Sequence, residues 1–476
     1  MSEPLKPDIC VIGGGAGGIT LAASAAQLGA RVVLVERGQL GGDNLYRGTI
    51  PSKALMAAAN RAFSVRQTRA FGITPLTPAI NFRAVGDHIQ SVVNAIAPNE
   101  SAERLAGFGV QVLRGFGKFD SRETVLVDDR VVAARSFVIA TGSSPALPPI
   151  EGLRKVPFLT SDTLFGNSVR FEHLIVLGGS GHAMELAQAY LRLGSRVTLI
   201  ARERFLPEFD PELAKPLIAK LTEEGVQLAE GVSCDLIEPA EGGGIRIHVS
   251  KDGDVDTVDG THLLIAGQRL PNIEGLELAK AGVEHDPSGI TVSNRLRTSN
   301  RLVYAIGDVT GGASSATRAR HEANILVRRL VLGSQAVTQP HAVPSVIFTS
   351  PALAHVGMDE NAAREKYGRS MRVLRWPFSE NDRAVVERET EGYVKVVAGP
   401  SGRILGATII GETAAELIQT WCLAVTSGLT VAQVAESIAP YPTLAETNIK
   451  TAQGFTLERS AATGLMGAMR LLPGQS

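Results

Sequence analysis

Cysteine is scarce in this chain of 476 residues, which contains only Cys10, Cys234 and Cys422. The three lie far apart and within apolar stretches, a distribution that excludes a disulfide framework and a metal site built from closely spaced thiols. We interpret them as buried, unreactive thiols. We predict no metal site.

An excess of charge of either sign is also absent, because 47 Lys and Arg balance 48 Asp and Glu. This balance excludes the basic surface that attracts nucleic acid or an anionic membrane. Apolar runs of transmembrane length are missing, and the run that follows Met1–Asp8 is too short for the core of a signal peptide. We therefore predict a cytoplasmic protein that neither binds nucleic acid nor spans a membrane.

The chain is long enough for about three domains, and a nucleotide-binding pattern opens the first. Asp8–Ile12 is an apolar run typical of a buried parallel strand, and Gly13–Gly18 follows it directly. After a helix comes a second strand, Arg31–Val35, which ends at Glu36. This order of strand, turn, helix and strand predicts a Rossmann-like unit.

The residues of this turn suit a dinucleotide. Gly13, Gly15 and Gly18 let backbone N–H groups approach a pyrophosphate at the N-terminus of the helix. Glu36 can accept hydrogen bonds from the hydroxyls of an adenosine ribose. We therefore predict a dinucleotide site here; the alternative is a Gly-rich turn with a purely structural role.

The same unit occurs twice, since Val11–Arg37 aligns without a gap on Val176–Arg202, 165 residues later. Two copies predict two dinucleotide-binding domains. In the second copy Gly178 matches the first glycine, but Ser180 replaces the second one and Ala201 replaces the ribose-binding acid. The serine adds a side chain where a pyrophosphate would approach, so the second site is degraded.

Arg202 and Arg204 follow the second strand of this repeat. Two arginines where the acid is missing favour a ligand with a 2′-phosphate, and hence NADPH over NADH. The alternative is that both are solvated surface charges.

Two further strand ends carry groups suited to a cofactor. The run Ser136–Ala140 ends at Thr141 and Gly142, and the motif YAIGD ends at Asp308. An aspartate there can accept hydrogen bonds from a polyol or ribityl chain. Beyond Pro340, alternating strands and then helices predict a separate α+β domain.

Along nearly the whole chain, the motifs GGGAGG, IPSKAL, ATGS and YAIGD and the second Rossmann-like unit resemble those of the class I pyridine nucleotide-disulfide oxidoreductases. Mercuric reductases, dihydrolipoyl dehydrogenases and soluble transhydrogenases are similar members. The resemblance implies an α/β fold with two Rossmann-like dinucleotide-binding domains and a C-terminal α+β interface domain, assembled as a homodimer. The implied domains are 1–146 and 271–337 for FAD, 147–270 for NAD(P), and 338–476 for the interface.

The resemblance also implies site residues. Those for FAD are Gly13, Gly15, Gly18, Glu36, Gly42, Lys53, Thr141, Gly142 and Asp308. The second copy of the repeat gives the candidates for NAD(P), with NADPH favoured and NADH as the other donor: Gly178, Ser180, Arg202 and Arg204.

The chain departs from the family in the segment Gly41–Lys53, GGDNLYRGTIPSK, where the family has a reactive Cys-x4-Cys pair. Asn44 and Thr49 stand at those two positions, so no thiolate is present there to attack a disulfide or to bind mercury. Tyr441 stands where disulfide reductases have an acid–base histidine. We interpret Tyr441 as a packed turn aromatic.

The family places Lys53 near the reactive edge of the flavin, paired with Glu185. Such a lysine stabilises negative charge as hydride arrives. The alternative is that the two are unrelated solvated charges. Gly181 replaces the bulky lid that many relatives place over the nicotinamide pocket, and we interpret His182 as an ordinary helix-start residue.

These features predict an FAD-dependent NAD(P)H oxidoreductase that passes electrons directly to a diffusible small molecule, either a quinone, a second nicotinamide nucleotide or dioxygen. Its expected acceptor site is Asp43–Thr49, where Tyr46 and Arg47 suit a planar or anionic molecule. One alternative is a mercuric or dihydrolipoyl reductase relative that uses thiols of a partner. Another is a flavin-binding electron-transfer or structural subunit with little turnover, which Ser180 and Gly181 favour.

Overall fold

The structure is a computed structural model that describes residues 3–462 of the chain. The described residues group into two compact units, residues 3–204 with 226–340, and residues 205–225 with 341–462. Leu465, Met466, Met469 and Leu472, whose helical spacing predicts a terminal helix packed on the dimer or used for docking, lie outside the described residues.

Short strands and helices make up both units. The described residues form 25 strands: β1 Ile9–Ile12, β2 Val32–Glu36, β3 Val110–Arg114, β4 Gly117–Phe119, β5 Val125–Val127, β6 Arg130–Val132, β7 Ser136–Ile139, β8 Ser143–Pro145, β9 Leu159–Thr160, β10 His173–Leu177, β11 Arg196–Ala201, β12 Gln227–Glu230, β13 Ser233–Pro239, β14 Ile245–Lys251, β15 Asp254–Gly260, β16 His262–Ile265, β17 Arg269–Pro271, β18 His285–Asp286, β19 Gly289–Ile290, β20 Val303–Ala305, β21 Ser345–Ile347, β22 Ala352–Gly357, β23 Arg372–Pro377, β24 Tyr393–Ala398 and β25 Ile404–Gly411. They also form 15 α-helices: α1 Ala16–Gln27, α2 Gly42–Tyr46, α3 Thr49–Ser64, α4 Phe82–Ile96, α5 Ala102–Gly107, α6 Ser161–Leu164, α7 Gly181–Arg192, α8 Pro211–Glu224, α9 Leu278–Ala281, α10 Ala316–Leu330, α11 Glu360–Tyr367, α12 Asp382–Glu387, α13 Ala414–Ser427, α14 Val431–Ala435 and α15 Glu446–Ala462. Among the residues described, no helix combines the length and the apolar composition needed to cross a membrane.

The first sheet is parallel, with the strand order β20-β7-β1-β2-β3. Alternate residues of β1 enter two different cores: Ile9 and Val11 pack with residues of α1 and α10, whereas Cys10 and Ile12 pack with residues of β4 and β5. Because both faces of the sheet are covered, its strands are apolar along their whole length. The carboxyl ends of β1, β2, β7 and β20 meet at one edge.

The second sheet repeats this plan with the order β12-β11-β10-β16-β9, again parallel. Helix α7 follows β10 as α1 follows β1. The segments that lead into and out of this part of the chain, β8 and β17, pair with each other as an antiparallel ribbon.

The second unit contains an antiparallel sheet, β21-β22-β25-β24-β23. Its core includes Trp421, which is fully buried and donates its indole N–H to Asn448 Oδ1 at 2.8 Å. Two parallel Rossmann-like sheets and a C-terminal α+β region confirm the predicted fold class. The domain boundaries at 146, 270 and 337 stay predictions.

A buried lysine organises one face of the second unit. Lys395 is 2% exposed, and its ammonium lies 2.6 Å from Asp210, 2.6 Å from Glu212 and 2.8 Å from Glu360. The three carboxylates are close enough to be metal ligands, but the ammonium lies among them. Arg375 adds a two-pronged contact to Glu212 at 2.7 and 2.8 Å, and the resulting hydrogen bonds lower the pKa of Glu212 to about 2.

We expect Lys395→Met to lower the free energy of unfolding by about 3 kcal/mol, because three carboxylates would then face one another without their central cation. A carboxylate whose folded-state pKa is lowered contributes stability above its unfolded pKa and loses that stability as the pH falls. In the variant, protonation relieves the repulsion instead. The deficit should therefore shrink between about pH 5 and about pH 3.

Urea unfolding of the full chain at both pH values measures this effect. Lys366→Met, at an exposed position of α11, is the matched control and should cost little. A deficit of the same size at both pH values would contradict the electrostatic explanation.

Candidate functional site

The first Gly-rich turn is closed toward the sheet. Gly13 has a φ of 110°, and a Cβ on it would lie 2.4 Å from the carbonyl oxygen of Ala140. A Cβ on Gly18 would lie 1.9 Å from the carbonyl oxygen of Gly13. Glycine is required at both positions because α1 packs directly against its own strand.

The same turn is open on its other side, at Gly15. A Cβ there would meet no atom within 4 Å. Gly15 is the N-cap of α1 and has no side chain that could cap the helix. The first N–H groups of α1 therefore stay available to an anion, as a pyrophosphate site requires.

Glu36 is held rigidly at the end of β2. Its two carboxylate oxygens accept hydrogen bonds from the backbone N–H groups of Gly14 and Gly38, each at 2.6 Å. A carboxylate has further lone pairs, so these bonds orient the group without exhausting it. The arrangement can still accept hydrogen bonds from ribose hydroxyls.

A cleft of about 350 Å³ lies along the carboxyl edge of the first sheet, which is where α/β sheets of this kind bind ligands. The residues that line it include most of those implied for FAD and both cysteine positions: Gly13, Gly15, Glu36, Gly42, Asn44, Thr49, Thr141, Gly142 and Asp308. Gly18 lies in the first turn of α1 and faces Gly13 and Val11 instead. Lys53 lies one helical turn beyond Thr49 and does not line this cleft.

Asp308 is fixed by several donors. Its carboxylate accepts hydrogen bonds from the hydroxyls of Ser143, at 2.8 Å, and Ser314, and from the N–H of Ser315 at 3.3 Å. The guanidinium of Arg318 lies 3.7 Å away. These contacts fix the carboxylate of Asp308 in the cleft, where its oxygens can accept hydrogen bonds from the hydroxyl groups of a ligand.

Two further ion pairs in or beside the cleft were missed by sequence reasoning. Asp43 contacts Arg269 at 3.2 Å, and Arg47 lies 3.9 Å from Asp162. Burial raises the pKa of Asp43, and the guanidinium of Arg269 opposes that rise. Asp43 and Arg47 lie inside the cysteine-free segment, but their partners are more than a hundred residues away, so no local signal could have paired them.

The two residues at the cysteine positions face the cleft as polar groups. Asn44 is half-buried in α2, and Thr49 is exposed at the start of α3. In the part of the chain that the structure describes, neither side chain makes a hydrogen bond to another residue. Both are therefore available to a molecule in the cleft.

Lys53 and Glu185 form an ion pair, with Nζ 2.7 Å from Oε2. Glu185 is 4% exposed at its side chain and Lys53 is 28% exposed, so the reading of two unrelated solvated charges is wrong. His182 also lies close, with its Nδ1 3.5 Å from the same Oε2. Burial raises the pKa of Glu185, but His182 and Lys53 outweigh it and lower that pKa below its usual value.

His182 lies at the start of α7, as the sequence predicts, and the structure adds its contact with Glu185. The signal for this contact in the sequence was the spacing of His182 and Glu185, because residues three apart on a helix lie on the same face.

The second Gly-rich turn differs from the first at Ser180. Gly178 has a φ of 149°, and a Cβ on it would lie 2.3 Å from the carbonyl oxygen of Ala266, as at Gly13. Ser180 is the N-cap of α7, and its hydroxyl accepts a hydrogen bond from the N–H of Ala183 at 3.3 Å. In α7 this N–H group is therefore already hydrogen-bonded to Ser180. In α1 the N-cap residue Gly15 has no side chain that could do the same. Arg202 and Arg204 are exposed beyond β11.

Tyr441 belongs to the second unit. Its side chain is 72% exposed rather than packed, so the interpretation as a packed turn aromatic is wrong for the isolated chain. The phenol donates a hydrogen bond to Asp382 Oδ2 at 2.9 Å, and this bond raises the pKa of Tyr441.

None of the three cysteines forms a disulfide. Cys10 and Cys422 are buried and Cys234 is half-buried. Burial raises the pKa of Cys10 and of Cys234 to about 12, and that of Cys422 to about 11. At neutral pH the chain therefore has no thiolate suited to redox chemistry.

Comparison with known proteins places this architecture. Residues 7–323 match the family model described as "Pyridine nucleotide-disulphide oxidoreductase", and residues 343–452 match the dimerisation domain of that family. A mercuric reductase of Lysinibacillus sphaericus is 34% identical over 443 residues, covering 92% of this chain and 81% of that protein.

Two further relatives agree. A dihydrolipoyl dehydrogenase of Thermus scotoductus is 35% identical over 457 residues, covering 94% of this chain and 97% of that protein. The solved structure of RclA from Escherichia coli, a flavoprotein disulfide reductase in complex with Cu(II), superposes with a TM-score of 0.83 at 26% identity, covering 94% of this chain and 99% of that one. This chain therefore belongs to the pyridine nucleotide-disulphide oxidoreductase family.

Proposed function

We propose that this chain is an FAD-dependent NAD(P)H oxidoreductase that reduces a diffusible acceptor without a protein disulfide. When bound, FAD would supply the two-electron chemistry between NAD(P)H and the acceptor, which is a quinone, a second nicotinamide nucleotide or dioxygen. The observation that carries the proposal is one continuous cleft that joins the dinucleotide turn at Gly15 to Asn44 and Thr49, where the family has its thiols.

The cleft fits FAD on its own geometry. The turn is open at Gly15, where a Cβ would stand in the space that a pyrophosphate needs, and the uncapped N-terminus of α1 suits that group. Glu36 is oriented for a ribose, and Asp308 offers acceptor oxygens for a chain of hydroxyls. The ammonium of Lys53, held by Glu185, would stabilise negative charge on the flavin.

The segment Asp43–Thr49 is the proposed acceptor site. It presents the amide of Asn44 and the hydroxyl of Thr49 to the cleft, with Tyr46 and Arg47 in the same lining. Arg47 is 55% exposed, and its 3.9 Å separation from Asp162 is longer than a hydrogen bond. A small planar or anionic acceptor matches these groups better than a protein disulfide, which needs a thiolate to attack it.

The match of residues 343–452 to a dimerisation domain supports a homodimer. The exposed phenol of Tyr441 is then available to a second copy. A flavin-binding subunit with little turnover is the second candidate, and the observation that favours it is the capping of α7 by Ser180. That cap withdraws one N–H group from a nicotinamide nucleotide at the second turn.

Anaerobic titration of the FAD-loaded protein with NADPH and with NADH separates these candidates. We expect the flavin absorbance to bleach with at least one donor and to return when a quinone or thio-NAD is added. Treatment with iodoacetamide at pH 7 should leave both steps unchanged, because the cysteine pKa values are raised. Absence of bleaching with both donors would refute the oxidoreductase. Loss of acceptor turnover after alkylation would refute a route without thiols.

Gly15→Ala tests the flavin cradle. We expect FAD to bind the apoprotein about tenfold more weakly or worse, since the new Cβ enters the space of the pyrophosphate. The thermal midpoint of the apoprotein should not change, because that Cβ meets no protein atom. Gly18→Ala is the contrasting variant and should destabilise the apoprotein itself. Unchanged FAD affinity in Gly15→Ala would show that the cleft holds FAD elsewhere.

Arg202→Ala tests the nucleotide preference. We expect the dissociation constant of NADPH to rise about tenfold, through loss of a charge-assisted bond to the 2′-phosphate, and that of NADH to stay the same. Arg196→Ala, at the exposed first residue of β11, is the control. An unchanged affinity for NADPH would remove the argument for the phosphate.

A further inference from the structure

Arg47 directly follows the last residue of α2 and lines the cleft. Its backbone is fixed, because its N–H donates to the carbonyl of Asp43 at 2.9 Å. Its side chain is exposed, and the carboxylate that it faces, Asp162, lies 3.9 Å away. That separation is longer than a hydrogen bond. Among the described residues the guanidinium makes no hydrogen bond, so its five N–H donors are available to a bound molecule.

Asp162 is held as loosely as Arg47. It belongs to α6, lines the same cleft and is exposed. Its N–H donates to Thr160 Oγ1 at 3.3 Å, which fixes the backbone rather than the carboxylate. In the part of the chain that the structure describes, no donor lies within hydrogen-bond distance of that carboxylate. An exposed pair of this kind contributes little to stability, so another anion can take the place of Asp162.

The other arginines near this segment are held by the protein itself or lie elsewhere. Arg269 donates to the hydroxyl and to the carbonyl of Ser143, at 2.9 and 2.8 Å, and lies 3.2 Å from Asp43. Arg37 also lines the cleft, but it directly follows β2, the strand whose end is predicted to bind a ribose. Arg47 is therefore the cation of these three that can pair with an anion beside the proposed acceptor segment.

The neighbours of Arg47 suit a planar molecule that carries such an anion. Tyr46 offers an aromatic ring, and Asn44 and Thr49 offer an amide and a hydroxyl to the cleft. A guanidinium binds a carboxylate, a sulfonate or a phosphate through charge-assisted hydrogen bonds, often two at once. Dioxygen or a quinone without a charged group makes no such bonds. It would leave Arg47 and Asp162 facing each other.

We propose that Arg47 determines the specificity of the acceptor site and selects a planar two-electron acceptor that carries an anionic group. The anion replaces Asp162 beside the guanidinium and is not changed by the reaction. This role rests on the proposed function. When the acceptor is a quinone, NAD(P)H gives up a hydride, solvent gives a proton, and the quinone gains both and leaves as the hydroquinone. A second nicotinamide nucleotide gains the hydride alone.

The test measures how fast acceptors return the flavin absorbance of the photoreduced, FAD-loaded protein in the absence of oxygen. A naphthoquinone is compared with the same naphthoquinone carrying a sulfonate, and each protein is described by the ratio of the sulfonate rate constant to the neutral one. The intrinsic reactivities of the two quinones cancel when this ratio is compared between proteins. We expect the ratio to be about tenfold lower in Arg47→Gln than in wild type, through loss of the charge-assisted bonds.

Three further variants separate the charge of Arg47 from other causes. Asp162→Asn should raise the ratio, because a carboxylate that repels the sulfonate and competes for Arg47 is gone. Arg47→Lys keeps the charge and should keep part of the preference. Arg83→Gln, at an exposed position of α4, is the matched control and should follow wild type. A ratio that falls equally in Arg83→Gln and Arg47→Gln would overturn the proposal.

The dissociation constant of FAD and the effect of salt complete the test. FAD should bind Arg47→Gln as it binds wild type, and weaker FAD binding with an unchanged ratio would assign Arg47 to the cofactor and overturn the proposal. Added salt should lower the sulfonate rate constant more in wild type than in Arg47→Gln, because screening weakens the attraction between opposite charges.

Thio-NAD, whose anionic groups are phosphates, is the third acceptor and distinguishes two sources of the anion. A loss in Arg47→Gln confined to the sulfonated quinone supports an acidic quinone, and a loss confined to thio-NAD supports a second nicotinamide nucleotide. Either result upholds the proposal. Return of the absorbance with all three acceptors and no loss with either anionic one would overturn this inference and leave the proposed function standing. No return with any acceptor would refute both.

Discussion

The contact between α3 and α7 is the constraint on which the proposed chemistry depends. Helix α3 follows the cysteine-free segment, and α7 follows the second Gly-rich turn. The pair Lys53–Glu185 joins the two helices near their starts. Arg192, at the end of α7, donates to Asn60 Oδ1 at 2.6 Å and lies 4.0 Å from the centre of the Phe63 ring. A mostly buried ion pair supported by such packing is held in one geometry, which electrostatic stabilisation of a transition state requires.

This contact explains how the chain can lack the family's thiols without losing the rest of its site. The positions of the two cysteines lie in α2 and at the start of α3, on the cleft side, where Asn44 and Thr49 end in open space. The ammonium of Lys53 comes one turn later and depends on Glu185 for its position. Changing the first pair of residues therefore does not disturb the second. The two cysteine positions and the ammonium of Lys53 are therefore separate parts of the segment Gly41–Lys53.

Ion pairs between carboxylates and arginines are a second feature of the cleft. The carboxylates of Asp43, Asp162 and Asp308 each lie near an arginine, at 3.2, 3.9 and 3.7 Å. The cleft thus presents polar groups of both signs, and each of these three carboxylates has a cation nearby that offsets its repulsion of the phosphates of a dinucleotide. Asp308 and Arg269 are each held by several further hydrogen bonds, so the pair Arg47–Asp162 is the more adaptable one.

Local patterns in the sequence were sufficient for the elements and for the family. Apolar runs followed by glycines predicted β1 and β10, and the alignment of the two repeats predicted two parallel sheets, because short-range periodicity and turn chemistry are properties of neighbouring residues. The missing thiols at Asn44 and Thr49 could likewise be read directly. The contacts between residues far apart in the chain could not be predicted from local patterns. Arg269 reaches Asp43, and Tyr441 is exposed rather than packed, for reasons that depend on distant chain segments.

The residues in and around the segment Gly41–Lys53 show the same division. The sequence by itself determined that the segment Gly41–Lys53 has no cysteine and that it follows a dinucleotide turn, since both are matters of residue type and order. Only the tertiary structure decided that Glu185 is buried, that Lys53 and His182 share its oxygen, and that Ser180 caps its own helix. Burial and pairing depend on how two helices pack whose paired residues, Lys53 and Glu185, are 132 residues apart in the chain. Burial in turn strengthens the electrostatic interactions of these charges.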